Sequence, residues 1–263
     1  MPDIHIITIA TKPGGYLKWL EQSCERNGAN LIILGIGKEW KGYITKYILI
    51  NEYLHLHNIP DEDLICFVDA YDVLMIQPVE ILKDKFIKHT ENTDYKLICA
   101  IDAVDMPSTV FKPLTKWFYG IEQDQNNVIN SGTYIGICKF IKLMYKDMIK
   151  LYNSNNLLSD DQFLLNNFYK NHKNEILLDI NYKFFLCEFY ENIIHIKKNS
   201  DDYVFLHRYG NGEMISALIQ YGYKIDLNEI ITLSKNEIKS LIKKGSNRLK
   251  NTLEKTIAKL NKN

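Results

Sequence analysis

Leu64-Ile65-Cys66-Phe67-Val68-Asp69-Ala70-Tyr71-Asp72-Val73-Leu74 starts as an unbroken apolar run and ends on two carboxylates. Five consecutive apolar residues, with no polar partner at alternate positions, fit a strand buried on both faces. In open α/β sheets the ligand crevice lies outside the carboxyl ends of the strands, which is where Asp69 and Asp72 would emerge. Carboxylates rarely serve packing, because an unpaired buried charge is costly. They suit a hard divalent cation, Mg²⁺ or Mn²⁺, that clamps a phosphate-bearing substrate. The plainer reading is a strand end with two solvated acids at a turn.

Strands and helices alternate on either side of this stretch. Ile4–Ala10 reads as a strand, and Lys12-Pro13-Gly14-Gly15 turns into a helix over Tyr16–Arg26 that Asn27-Gly28 closes. Leu31–Leu34 is a second strand, and Thr45–His57 carries helical spacing. After the central strand, Pro78 starts a helix to about Thr90, and Leu97–Ile101 is the fourth strand. The pattern predicts an α/β fold of Rossmann type, a mostly parallel sheet with helices on both faces. The second half is more mixed. It holds a short strand over Asn130–Cys138, a helix over Lys139–Tyr152 and another over Asp160–Tyr169 capped by Ser159. Strand-like pieces follow at Ile176–Asp179, Tyr182–Cys187 and Val204–His207. One domain over 1–233 is expected. The lysine-rich tail over 234–263, with Leu and Ile at helical spacing, reads as an amphipathic helix packed on it.

Composition narrows the classes. Over 263 residues, 32 basic and 32 acidic side chains cancel, so no basic field argues for nucleic acid. The start Met1-Pro2-Asp3-Ile4-His5 lacks the basic and apolar segments of a signal peptide, and no apolar run is long enough for a membrane span. The expected location is therefore cytoplasmic, in a microbial cell or in a virus-infected host, with a secretory compartment left open. The five cysteines are scattered, odd in number and never spaced as CxxC, which fits a reduced compartment and argues against a zinc site.

Four further segments carry candidate chemistry. Gly35-Ile36-Gly37-Lys38-Glu39-Trp40-Lys41-Gly42 follows the second strand, where an aromatic between glycines can stack on a base or sugar, or simply join the core. Asn130-Ser131-Gly132 precedes an apolar strand and can bond sugar hydroxyls, or form a tight turn. Ser159-Asp160-Asp161-Gln162 is a helix start that also offers a carboxylate pair beside an acceptor hydroxyl. His207, at the end of an apolar run, followed by Gly210-Asn211-Gly212, can supply a nitrogen ligand and a backbone cradle for phosphate.

Taken in order, these motifs, with Ile6–Thr11 and Phe67–Val73, resemble the glycosyltransferase domain of procollagen lysyl hydroxylases and related hydroxylysine glycosyltransferases of the GT-A type. The resemblance runs from about Ile4 to Gly212. Arg208-Tyr209 stands here where that family runs directly from His to Gly-Asn-Gly. The chain is too short to hold the hydroxylase, so a stand-alone transferase is implied.

The resemblance implies a GT-A fold and a cation, Mn²⁺, bound by Asp69, Asp72 and His207. It places Thr8, Ala10, Thr11 and Trp40 on the uridine side of a UDP-sugar. Asp69, Ala70, Asn130, Ser131, Gly132, Gly210, Asn211 and Gly212 complete the donor site, with Asn130, Asp160 and Asp161 at the reacting sugar. The implied reaction moves glucose from UDP-glucose to galactosyl-hydroxylysine on a collagen-like polypeptide. Galactose transfer to hydroxylysine is the close alternative. A metal-dependent phosphohydrolase and a catalytically silent sugar-nucleotide-binding protein are rivals from other classes. Homodimerisation is left open.

Overall fold

The computed structural model describes residues 2–102, 128–154, 160–187, 202–208, 214–226, 228–229 and 231–233. The chain forms two compact units, Met1–Tyr209 and Gly210–Asn263. Within the second lies a short helix over Met214–Gln220, which hydropathy reading had not marked. The tail expected over 234–263 lies outside the described residues.

The first unit is built on a six-stranded sheet in the order β2-β1-β3-β6-β5-β7. Its strands are β1 (Ile4–Ile9), β2 (Leu31–Leu34), β3 (Leu64–Val68), β5 (Leu97–Ile101), β6 (Ile129–Ile137) and β7 (Ile176–Leu178). β1 pairs parallel with β2 and β3, and β5 pairs parallel with β7. β6 alone runs against its neighbours, antiparallel to both β3 and β5. A second, smaller sheet has the order β4-β9-β8, from β4 (Val73–Met75), β8 (Phe185–Cys187) and β9 (Phe205–His207).

Side-chain alternation along β3 explains its uninterrupted apolar composition. Ile65 and Phe67 enter one core, with Tyr47, Ile50 and Leu54 of helix α2 (Ile44–Leu56) and Met144 and Tyr145 of helix α4 (Cys138–Ser154). Leu64, Cys66 and Val68 enter the other, with Leu20 and Cys24 of helix α1 (Leu17–Arg26), Leu82 and Phe86 of helix α3 (Val79–Thr90), and the small sheet's Val73, Phe185 and Phe205. A strand covered on both faces has no solvent side to show.

Three expectations change in detail. Asn130-Ser131-Gly132 does not precede its strand but forms part of it, and that strand has nine residues, so it is not short. The helix α5 (Asp161–Asn171) is capped by Asp160, whose carboxylate accepts from the Phe163 amide at 3.1 Å. Ser159, expected in that role, lies outside the described residues. Pro78 stands at the N-cap of α3, just outside the first turn, where its missing N–H costs nothing. No helix among the described residues is long and apolar enough to cross a membrane.

The reversed strand organises the chemistry. Because β6 is antiparallel to β3, its first residues meet the carboxyl end of β3: Val68 pairs with Thr133, and the Asp69 amide donates to the Gly132 carbonyl at 2.8 Å. Ile101 pairs with Ile129, which brings Asp102 to the same edge.

Candidate active site

Asp69 leaves β3 and Asp72 enters β4 within a four-residue connection. Its inner residues hold it in place: Ala70 is buried with Ala10 and Leu17, and the Tyr71 hydroxyl donates to the Lys12 carbonyl at 2.8 Å. β4 pairs antiparallel with β9, so Val73 faces His207, and the Arg208 amide donates to the Asp72 carbonyl at 2.9 Å. One ligand atom from each of Asp69, Asp72 and His207 lies within 4.8 Å of the others. His207 Nε2 is 3.4 Å from Asp72 Oδ1 and 3.9 Å from Asp69 Oδ2.

The electrostatics match the arrangement. Desolvation raises the Asp69 carboxyl to about 6, with Asp72 reinforcing the shift and Lys46 and His207 opposing it. Burial alone would disfavour an imidazolium at His207, yet the Asp72 carboxylate outweighs it and holds the ring well above its ordinary value. Two crowded carboxylates with an imidazole beside them form a centre that attracts positive charge, whether proton or cation. Two oxygen donors and an imidazole nitrogen suit a divalent cation of hard to borderline character.

Gly132 keeps this centre open. A Cβ there would lie 2.4 Å from His207 Cε1, 2.6 Å from Asp69 Oδ2 and 3.0 Å from Asn130 Oδ1. The requirement is space, since no unusual φ is involved at this position.

Beside the acidic centre runs a network of committed polar groups. Asn130 Oδ1 accepts from the Gly132 amide at 2.8 Å, and its Nδ2 donates to Asp102 Oδ1 at 2.7 Å. Gln162 Nε2 donates to the other Asp102 oxygen at 2.8 Å. Burial pushes the Asp102 carboxyl up against the pull of these two amides. Asp161 accepts from Ser131 Oγ at 2.9 Å and from the Gln162 amide at 3.0 Å, and it forms an ion pair with Lys46. Lys46 Nζ also donates to the Ser131 carbonyl at 3.1 Å. Burial opposes the Lys46 charge, but Asp161 and Asp69 outweigh it and raise its pKa. Asp160 is raised by burial and by its neighbour Asp161.

Further along the sheet edge, Thr8 and Ala10 are fully buried, and Thr8 Oγ1 has no hydrogen-bond partner among the described residues. The Thr11 carbonyl accepts from Gly37 at 2.9 Å. Gly35 adopts φ +92°, a conformation that favours glycine, and this turns the chain toward Trp40. Trp40 is 44% exposed and packs edge-to-face on Tyr43. It is therefore not core. Gly210, Asn211 and Gly212 lie outside the described residues.

The structure thus brings together Asp69, Asp72, His207, Asn130, Ser131, Gly132 and Asp161. Lys46 and Asp102 belong with them and were not singled out from the sequence, while Gln162 was noted only as the end of the Ser159–Gln162 segment, with no role of its own. Asp102 carried a usable signal, because Leu97–Ile101 is an apolar strand ending on a carboxylate just as Leu64–Val68 is. Lys46 lies in a run of four residues, Ile44 to Tyr47, all of which are buried, and a lysine there has no solvent role.

The family model described as PLOD GT domain matches residues 1–214. A multifunctional procollagen lysine hydroxylase and glycosyltransferase of Caenorhabditis elegans is 25% identical over 144 residues, covering 52% of this chain and 19% of that protein. A procollagen-lysine,2-oxoglutarate 5-dioxygenase of Drosophila melanogaster is 25% identical over 155 residues, covering 56% of this chain and 20% of that protein. The match therefore spans about a fifth of the length of these relatives.

Two solved structures share the fold. One is a glycosyltransferase involved in the glycosylation of the major capsid of PBCV-1, with TM-score 0.52 and 15% identity over 80% of this chain and 94% of that one. The other is the galactosyltransferase LgtC in complex with donor and acceptor sugar analogs, with TM-score 0.51 and 16% identity over 78% of this chain and 87% of that one. The family match over most of the chain and the GT-A architecture agree with each other, and the chain belongs to the PLOD GT domain family of glycosyltransferase domains.

Proposed function

We propose that this domain transfers a hexose from a UDP-sugar, with UDP-glucose the favoured donor, to galactosyl-hydroxylysine on a collagen-like polypeptide, using Mn²⁺ held by Asp69, Asp72 and His207. The observation that carries the reading is the acidic centre itself. Two carboxylates and a buried imidazole converge at the sheet's carboxyl edge, over a glycine that leaves them room. The names of the two animal relatives support the collagen-type acceptor.

When bound, the cation supplies positive charge against the diphosphate leaving group as the bond to the sugar breaks. The chain's own residues do the remaining work. Asp69, Asp72 and His207 fix where the diphosphate lies. Thr11 and Trp40 line the uridine side, and the buried Thr8 and Ala10 anchor the strand end that carries Thr11. Asn130 and Gln162 are held by Asp102, so their amides keep fixed orientations beside the sugar, where preorganised dipoles cost no reorganisation during reaction.

Asp161 accepts from Ser131 and Gln162 and pairs with Lys46, so both of its oxygens are engaged. A carboxylate held in this way orients its neighbours and does not take a proton from an acceptor hydroxyl. Asp160 uses one oxygen to cap α5. These commitments favour a retaining course, in which Asn130 and the fixed charges beside it stabilise the sugar cation, over an inverting one that needs a positioned base.

The test is sugar transfer from UDP-glucose and UDP-galactose in parallel, to galactosyl-hydroxylysine and hydroxylysine peptides, with the product's anomeric configuration read by NMR. Glucose transferred to the galactosylated peptide with retention is the expected result. Preference for UDP-galactose and bare hydroxylysine moves the assignment to the galactosyl step. Donor hydrolysis with no peptide dependence favours a phosphohydrolase, and donor binding without turnover favours a silent binding protein.

A further inference from the structure

We infer that Cys187 is a positioning residue for the cation centre: its thiol orients His207 by meeting Nδ1, so that Nε2 is presented to Asp69 and Asp72. The inference rests on the cation reading given above. Cys187 Sγ lies 3.7 Å from His207 Nδ1 on one side and 3.7 Å from Thr133 Oγ1 on the other. The small sheet sets this contact, because β8 and β9 pair parallel with Cys187 opposite His207. Thr133 comes from the large sheet and directly follows Gly132. All three side chains are buried, at 1% exposure or less, so no bulk water competes for Nδ1.

An imidazole can offer a lone pair at Nε2 only if its proton sits on Nδ1, and that proton needs an acceptor. In most histidine metal sites a carboxylate or backbone carbonyl fills this role. Here the acceptor is a thiol sulfur, which can in turn pass its own weak S–H to the threonine hydroxyl. The chain of contacts, Nδ1–H to Sγ and S–H to Oγ1, fixes both the ring angle and the tautomer. It also ties the two sheets together at the point where their carboxyl ends meet. Cys187 also packs in the core with Phe185 and Phe205, which fixes its place beside the ring. Cys187 makes no disulfide, so its sulfur is available to both neighbours.

The experiment is Mn²⁺ binding, read by loss of the free-ion EPR signal, in the full chain without donor. Wild type, Asp72→Ala, Cys187→Ala, Cys187→Ser and Thr133→Val are compared, and thermal melting verifies that each variant is folded. The expected result is an Mn²⁺ Kd raised about tenfold or more in Cys187→Ala, within the range seen when the outer partner of a ligating histidine is removed. Cys187→Ser, which keeps a donor and an acceptor, should recover most of that loss. Thr133→Val should fall between wild type and Cys187→Ala. A folded Cys187→Ala that binds Mn²⁺ as wild type does, while Asp72→Ala does not bind, overturns the positioning role and leaves the cation centre intact. A wild type that binds no Mn²⁺ overturns both. Equal loss in Cys187→Ala and Cys187→Ser would mean that the sulfur's volume matters and its hydrogen bonds do not.

Discussion

Leu64–Val68 and Leu97–Ile101 are matched in the sequence, five buried apolar residues each, followed by an aspartate. Their carboxylates nevertheless meet different surroundings. Asp69 faces a second carboxylate and an imidazole across a gap that Gly132 keeps open. Asp102 faces two amide groups that donate to both of its oxygens. The first is short of positive charge and the second is satisfied. A strand-end carboxylate is thus a location and not yet a function. What decides its role is which residues the antiparallel β6 and the small sheet deliver beside it.

The largest effect should come from filling the open end. Gly132→Ala places a methyl inside the contact distances of His207 and Asp69. Activity should fall by about 10³-fold, in the range for losing a principal electrostatic group at an active site. Melting temperature should change far less, because the clash is local to the centre.

Removing the buried cation between the two ends should be costly in another currency. Lys46→Met leaves Asp161 buried without its ion partner. The expected destabilisation is about 3–5 kcal/mol, read by urea unfolding. Lys46→Arg should recover part of it only if the larger head fits over Phe67 and Tyr47, the rings the ammonium faces now.

The two ends should also separate by pH. At the open end, protons and cation compete for the same atoms. Mn²⁺ affinity should therefore be weak below about 6, the value to which Asp69 is raised, and should keep rising through the elevated His207 value. An affinity independent of pH across that window would separate these residues from the cation.

The smallest effect belongs to the clamp. Burial raises Asp102 above its unfolded value, so the fold prefers its protonated form. Its contribution to stability is therefore full at acid pH, below the unfolded value, and fades as pH rises through the raised value. Asp102→Asn should flatten that part of the stability profile in urea melts and cost roughly 1 kcal/mol for the one amide left without an acceptor.

The same comparison explains what the sequence could and could not reveal. The bounds of β2, β3 and β5 were legible because each is an apolar run cut off by polar residues or, at the end of β2, by glycine. The DxxD was legible because two acids followed one run. Asp102 had the same signature with a single acid and no motif around it, and it passed unremarked. In the small sheet, β8 and β9 were legible as strand-like pieces, whereas β4 was legible only as the tail of the acidic motif, and their pairing into a second sheet left no local signal. Lys46 violates the helical rule that puts lysine at the surface, and only its partner Asp161, 115 positions along the chain, explains it. Cys187 looks like any small core residue until the register sets it against His207. Local pattern therefore marked Asp69, Asp72 and His207, whereas the residues packed beside them depend on pairings distant in sequence.

The most direct test is UDP release from UDP-glucose by wild type and Asp72→Ala, each with Mn²⁺ and with EDTA. The account predicts release in wild type with Mn²⁺ that falls to background with EDTA and in the folded variant. Release of UDP that is unchanged by EDTA or by the substitution would contradict it, because the acidic centre would then have no part in handling the donor.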